Sequence, residues 1–361
     1  MIDTVLKKQE RVSLALRELF RRYGYAPYKM NKFELYDLYA QNKDFLVGEG
    51  VITFTDTDGK LLALKPDVTL SIIKNADANA KVFYDENVYR ISGETKQFKE
   101  IRQVGLERIG NVSVYDLYET LYLSAQSLLA ISERFVLDIS HLGVLSAILS
   151  EIGTDTRFNK KFMHLLAEKN SHGISALCQD YALFPETTAK LLTLVKTYGE
   201  MNSVLKALAP LCGNGKAKSA YDELCLVCGL LAKTEYADRI RLDFSVVNDM
   251  EYYNGFVFKG FIEGVSEGVL SGGQYDALME RMGRKTGAIG FAVYLDLLEG
   301  FGESKSGFAL DTAVIYDKQT DLQTIAETVE NAVKAGKRVS AVVKGYEVRA
   351  REIVDLTGGN V

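Results

Sequence analysis

Toward its C-terminal third the chain reads Ser271-Gly272-Gly273-Gln274-Tyr275-Asp276, then Gly287-Ala-Ile-Gly290-Phe291-Ala292-Val293-Tyr294-Leu295-Asp296-Leu297-Leu298. A glycine pair leads into Tyr-Asp, and absent side chains let a ligand approach the backbone there. Just upstream stands Ser245-Val-Val-Asn248-Asp249-Met250-Glu251-Tyr252-Tyr253-Asn254-Gly255-Phe256-Val257-Phe258. Farther back, Lys99-Glu-Ile-Arg-Gln-Val-Gly-Leu-Glu-Arg-Ile109 is strand-like. Gln103 and Glu107 lie four apart on it, so both face one side. Taken singly, each feature also fits ordinary sheet packing, and a Tyr-Tyr pair on a strand most often packs against neighbours.

Working outward, Asp3 can cap a helix with the apolar stripe Val5, Val12, Leu16, Leu19 and Phe20, ended by Gly24. Ile52 to Leu64 reads as a hairpin around Asp58-Gly59. Lys65-Pro66-Asp67-Val68-Thr69 opens a helix through Lys74. Lys81–Tyr84, Asn87–Ile91 and Lys99–Ile109 are strand-like, and Asp116 to Phe135 is a helix. From about 155 to 235 the pattern is purely helical, which reads as an insertion between two strand-rich halves. Strands resume at Ile240. Gly300 to Gly307 is a linker. Beyond it come a strand at Thr312–Tyr316, a helix from Asp321 to Ala335 capped by Gly336, a strand at Arg338–Val343, and a short helix near Val348 to Leu356.

The chain has 361 residues, 47% of them hydrophobic, ample for a large core. Net charge is −5 and pI about 5.5, which advertises no basic face for nucleic acid. No apolar run approaches a membrane span and the first residues lack a signal peptide's apolar core, so a cytoplasmic protein is expected. Cys225-Leu-Val-Cys228 has metal-ligand spacing, and Cys178 and Cys212 would complete a four-thiolate set. The pair sits in an apolar helical stretch, however, where cysteine acts as a small hydrophobe, and no metal is expected.

Four segments in order make residues 1–300 similar to histidyl-tRNA synthetase, a class II synthetase. The resemblance implies an α+β fold. It consists of a six- or seven-stranded antiparallel sheet flanked by helices, dimeric through its N-terminal region, with the helical insertion and a small C-terminal αβ appendage at 308–361. That appendage resembles a truncated anticodon-binding domain. The resemblance also assigns roles. Asp67 and Thr69 match positions that fix the α-ammonium of histidine; a carboxylate beside a hydroxyl suits that group. Gln103 and Glu107 match residues reaching the ligand's amine and imidazole. Tyr252 and Tyr253 match the Tyr-Tyr pair that meets the imidazole. Gly272, Gly273 and Tyr275 match the glycine wall, and Arg90 matches the motif 2 arginine on the α-phosphate.

Two departures decide what the resemblance implies. Asn248 stands where the family has an arginine near the reacting carboxylate, and Leu297 where it has the motif 3 arginine on the γ-phosphate. Removing one such stabiliser costs ~10²–10³ in rate. The motif 2 loop Gly93-Glu-Thr-Lys-Gln-Phe98 is also shorter and less basic than the family's, and the two losses plus this altered motif 2 are expected to exceed ~10⁴. A pocket kept without its cations is similar to the regulatory subunits of ATP phosphoribosyltransferase. That likeness implies no catalysis and no cofactor. Its expected partners are a short-form catalytic phosphoribosyltransferase subunit, a second copy of itself, and histidine as effector. The alternatives are a divergent enzyme activating an amino acid and a tRNA-binding sensor.

Overall fold

The computed structural model describes residues 6–41, 50–92, 95–247, 253–301, 308 and 310–358. They divide into two compact units, Met1–Phe301 and Gly302–Val361. The first opens with α1 (Lys8–Arg22), β1 (Ala26–Pro27), β2 (Phe33–Leu35), α2 (Asp37–Ala40), β3 (Thr53–Thr55), β4 (Leu61–Leu64) and α3 (Thr69–Asn75). Next come β5 (Ala80–Ile91), β6 (Phe98–Gly110), α4 (Val114–Ile131) and β7 (Phe135–His141). The helical block is α5 (Leu142–Ile152), α6 (Thr156–Ala167), α7 (Ser171–Asp180), α8 (Pro185–Lys196), β8 (Tyr198–Glu200), α9 (Met201–Leu208) and α10 (Gly215–Leu231). The unit closes with β9 (Ile240–Asp243), β10 (Phe256–Ile262), β11 (Leu270–Gln274), α11 (Asp276–Arg281) and β12 (Gly287–Tyr294).

One nine-stranded sheet organises this unit, in the order β1-β5-β6-β12-β11-β10-β7-β9-β8. It is larger than the expected six or seven strands because the two-residue β1 and the β9–β8 pair extend its edges. All pairings are antiparallel except β1 with β5 and β7 with β9. A second, three-stranded sheet pairs β2-β4-β3 around the Asp58-Gly59 turn, where Gly59 has φ +79°.

Sequence explains the two faces of the large sheet. On β6, Val104 and Leu106 join the main core with Leu16, Phe20, Leu121 and Leu128 from α1 and α4. Gln103, Gly105 and Glu107 alternate with them and leave by the other face. Burying each apolar side chain of that kind contributes about 1.5–3 kcal/mol. Helix α1 starts with the Lys7 amide donating to Glu10 at 2.8 Å and stops at Gly24, φ +81°. Its residues Val12, Leu16 and Phe20 recur every four positions and are buried. Residues 1–5, including the expected cap Asp3, lie outside the described residues. At α4, Ser113 and Asp116 bond each other's backbone amides, closing a capping box.

Four expectations are corrected. Lys81–Tyr84 and Asn87–Ile91 form one continuous strand, held by an unbroken ladder to β6 from Ala80 to Ile91. The α4 helix stops at Ile131, and Phe135 begins β7, paired with Ile262. The insertion is not purely helical, since β8 adds to the sheet edge through β9. The fourth lies in the second unit, which comprises β13 (Leu310–Tyr316), α12 (Leu322–Lys334), β14 (Val339–Val343) and β15 (Ala350–Asp355). Its sheet is parallel, in the order β14-β13-β15. The helix expected near Val348 to Leu356 is therefore a strand. β-Branched Ile353 and Val354 suit a strand, and β13 gains its second neighbour there.

Candidate ligand face

Glu107 is the centre of the site. Its carboxylate is 2% exposed and accepts hydrogen bonds from Thr69 Oγ1 at 2.9 Å and from the Tyr275 hydroxyl. Glycine makes the position possible. Gly290 pairs with Glu107 across β12, and a Cβ there would lie 1.7 Å from Glu107 Oε2. Burial pushes the Glu107 carboxyl up to about 8, against the pull of the Tyr275 and Thr69 hydroxyls; Asp67 nearby adds to the rise. Asp67 is half-buried, and its Oδ1 accepts from the Leu70 amide at 2.8 Å in the first turn of α3. Desolvation raises its carboxyl too, while Arg90 opposes the shift. Arg90 itself is anchored by Nε donating to the Pro66 carbonyl at 2.7 Å.

The aromatic wall follows the same logic. The Tyr253 ring lies over Gly273, where a Cβ would sit 2.5 Å from Cδ1. Burial pushes its hydroxyl well up, and Glu107, Asp67 and Tyr294 add to that. Gln103 is buried one ladder step from Tyr294 and from Glu86. Asp67, Thr69, Arg90, Gln103, Glu107, Tyr253, Gly273 and Tyr275 thus share one face of the sheet and the turn above it. Gly272 does not. Its missing side chain would meet Phe258 and Phe291 on the core face, so it serves sheet packing. Asn248 and Tyr252 lie outside the described residues. Leu297 follows β12 in a short turn and packs against the main core as an apolar side chain.

Sequence reasoning missed part of this face. Tyr84, 2% exposed, packs where Gly105 leaves room, since a Cβ there would lie 2.4 Å from its hydroxyl. Lys65 is fully buried and paired with Glu86, whose Oε1 also accepts from the Met30 amide at 3.2 Å. The glycine between Gln103 and Glu107 was the available signal: a gap in a polar row invites a large neighbour on the next strand.

The histidyl-tRNA synthetase model matches residues 3–298 of this chain. The chain belongs to the histidyl-tRNA synthetase family. Within it, similar curated proteins are called ATP phosphoribosyltransferase regulatory subunit. One from Alkaliphilus metalliredigens is 28% identical over 291 residues, 78% of this chain and 73% of the relative. One from Acetivibrio thermocellus is 26% identical over 358 residues, 95% and 85% of the two. Among solved structures, an ATP phosphoribosyltransferase regulatory subunit/histidyl-tRNA synthetase from Bacillus halodurans superposes with TM-score 0.76 at 22% identity, covering 98% of this chain and 95% of that one. A histidyl-tRNA synthetase from Nostoc gives 0.71 at 19%, covering 94% and 84%. These likenesses establish the family's class II fold.

The cysteines stand apart from the ligand face. Cys178, Cys212 and Cys228 are buried among the helices, and desolvation pushes the Cys212 thiol up to about 11. Among the described residues no three His, Cys, Asp or Glu side chains are grouped to hold a metal. No described helix is long and apolar enough to cross a membrane.

Proposed function

We propose that this chain is a regulatory subunit of ATP phosphoribosyltransferase, inactive as a synthetase and working in complex with the catalytic subunit at the first step of histidine biosynthesis. One observation carries the reading. The face that suits an amino acid's ammonium is intact around Glu107, Thr69 and Tyr275, yet a partly buried Leu297 packs against the core where the family has its motif 3 arginine. Leucine offers no donor to a phosphate, and no water restores a cation there. The pocket therefore keeps recognition and lacks the charge that adenylation needs. The curated relatives bear the name of the regulatory subunit. A Thermotoga maritima structure of similar fold, TM-score 0.63 at 20% identity, comes from an ATP phosphoribosyl transferase complex.

Histidine is the proposed effector, seated on the ligand face in the cytoplasm, with no cofactor. A second copy is the proposed neighbour of the β2-β4-β3 sheet. Phe33 (52% exposed), Leu35 (48%) and Phe54 (36%) share one face of that sheet, and the Phe33 and Phe54 rings meet at 5.3 Å.

The test mixes purified chain with a short-form catalytic subunit. Co-purification and restored, histidine-sensitive turnover are expected. The chain alone should exchange pyrophosphate at least ~10⁴-fold more slowly than a synthetase. Exchange at synthetase rates, or a catalytic subunit indifferent to this chain, rejects the reading.

A further inference from the structure

Behind the ligand face, the helical insertion reaches the large sheet through a buried histidine. His141 ends β7 and is 3% exposed, and its ring meets Phe256 of β10 edge-on, centroids 4.6 Å apart. Its Nδ1 accepts from the Val144 amide at 3.2 Å, which caps α5. A ring nitrogen that accepts carries no hydrogen, so Nε2 holds it and donates to Glu223 Oε2 at 3.1 Å. Glu223 stands on α10, which packs along α5.

From His141 the contacts run on to Tyr253. Its ladder partner is Phe256, and one residue on the Leu142 amide donates to the Gly255 carbonyl at 2.8 Å. Asn254 is held on its other side. Its amide donates to the Gln274 carbonyl at 3.1 Å, and its Oδ1 accepts from the Asp276 amide at 2.9 Å. Tyr253 thus hangs from a segment pinned by β7 on one side and by the end of β11 on the other. Gly143 lets the parts converge. A Cβ there would lie 2.8 Å from His141 Cε1 and 3.6 Å from the Asn254 carbonyl oxygen.

We propose that His141 and Glu223 are positioning residues for the ligand face, and that their bond carries the placement of α10 to Tyr253. The inference rests on histidine as the ligand of that face. His141 packs with Phe256 on the core side of the sheet, so it acts through Tyr253 and does not touch the ligand. Glu223 also lines an open cavity of about 560 Å³ with Gly143, Ser146 and Ser150 of α5 and Lys216 and Ser219 of α10. Incomplete packing there leaves α10 room to shift. A displacement of about half an ångström takes the Glu223–His141 bond outside the usual hydrogen-bond range. Coupling of this kind is reciprocal: whatever displaces α10 changes histidine affinity, and bound histidine favours one placement of α10.

The experiment follows amide hydrogen exchange and calorimetric histidine binding in the full chain. It compares wild type with Glu223→Ala, Glu223→Gln and His141→Asn. Asparagine at 141 still caps α5 but is too short to reach Glu223. Exchange at Leu142 and across residues 253–256 should quicken about threefold or more in Glu223→Ala and His141→Asn. The Kd for histidine should rise roughly three- to tenfold in both. Glu223→Gln should keep wild-type values, because its amide oxygen still accepts from Nε2. The double variant should bind no more weakly than the worse single one, since both cut the same bond. Glu223 is partly exposed, so Glu223→Ala carries the test if His141→Asn folds poorly. Wild-type exchange in Glu223→Ala overturns the proposal. So does an unchanged Kd in Glu223→Ala when wild type binds histidine. A wild type that binds no histidine rejects the ligand reading instead, and the exchange rates then decide whether the bond sets the Tyr253 segment.

Discussion

Glu107 is a carboxyl group in a place that disfavours its charge. Water is excluded, Asp67 adds repulsion, and two hydroxyls only partly compensate. Its folded value, about 8, stands above the ordinary 4.5. The folded state thus holds a proton that the unfolded chain releases. The resulting stability is fully present below pH 4.5 and is lost as pH rises toward about 8. Within that window, wild-type stability should fall by roughly 1 kcal/mol per pH unit relative to Glu107→Gln, which cannot ionise. Urea midpoints across that range check it; parallel curves for the two proteins would contradict it. An incoming ammonium reverses the preference, because it favours the ionised carboxylate. Glu107→Ala should therefore weaken histidine binding at least tenfold by calorimetry, and unchanged affinity would move the effector elsewhere.

At the scale of elements, glycines on β11 and β12 set how closely side chains pack. A Cβ at Gly290 would meet Glu107 Oε2 at 1.7 Å and the Leu106 carbonyl at 2.4 Å, and the backbone oxygen cannot move aside. Gly290→Ala should cost about 1–3 kcal/mol as overpacking and abolish binding at the ligand face. A denaturation midpoint equal to wild type would refute that geometry. Much of this was readable beforehand. Gln103 and Glu107 share a face by period alone, and Asp-Gly marks the β3–β4 turn. What escaped was decided by tertiary partners. Gly272 looks like Gly273 in the chain, but the pleat turns it to the core. Val348 to Leu356 carries no strong local signal, and pairing with β13 makes it a strand. Lys65 is buried only because Glu86, on a neighbouring strand, receives its charge.

Across the whole molecule, the two units differ in how well they close their own cores. Met1–Phe301 covers its large sheet with helices and buries most of its apolar side chains. In Gly302–Val361 a parallel sheet of three strands has one described helix, α12. Parallel sheets are normally covered on both faces, and one helix cannot do that. Ile353 stays 56% exposed on the face of β15 shared with Ala313, and Val343 stays 41% exposed on the opposite face of β14. Domains this small are marginal even with complete cores. Truncation after Phe301 should therefore leave the first unit's cooperative melt within a few degrees of the full chain, about 1 kcal/mol or less for a domain of its size. The fragment 302–361 should show a broad, shallow transition in urea. A steep cooperative transition from that fragment would mean that its single helix and three strands suffice. A collapse of the first unit on truncation would mean that its core depends on the appendage.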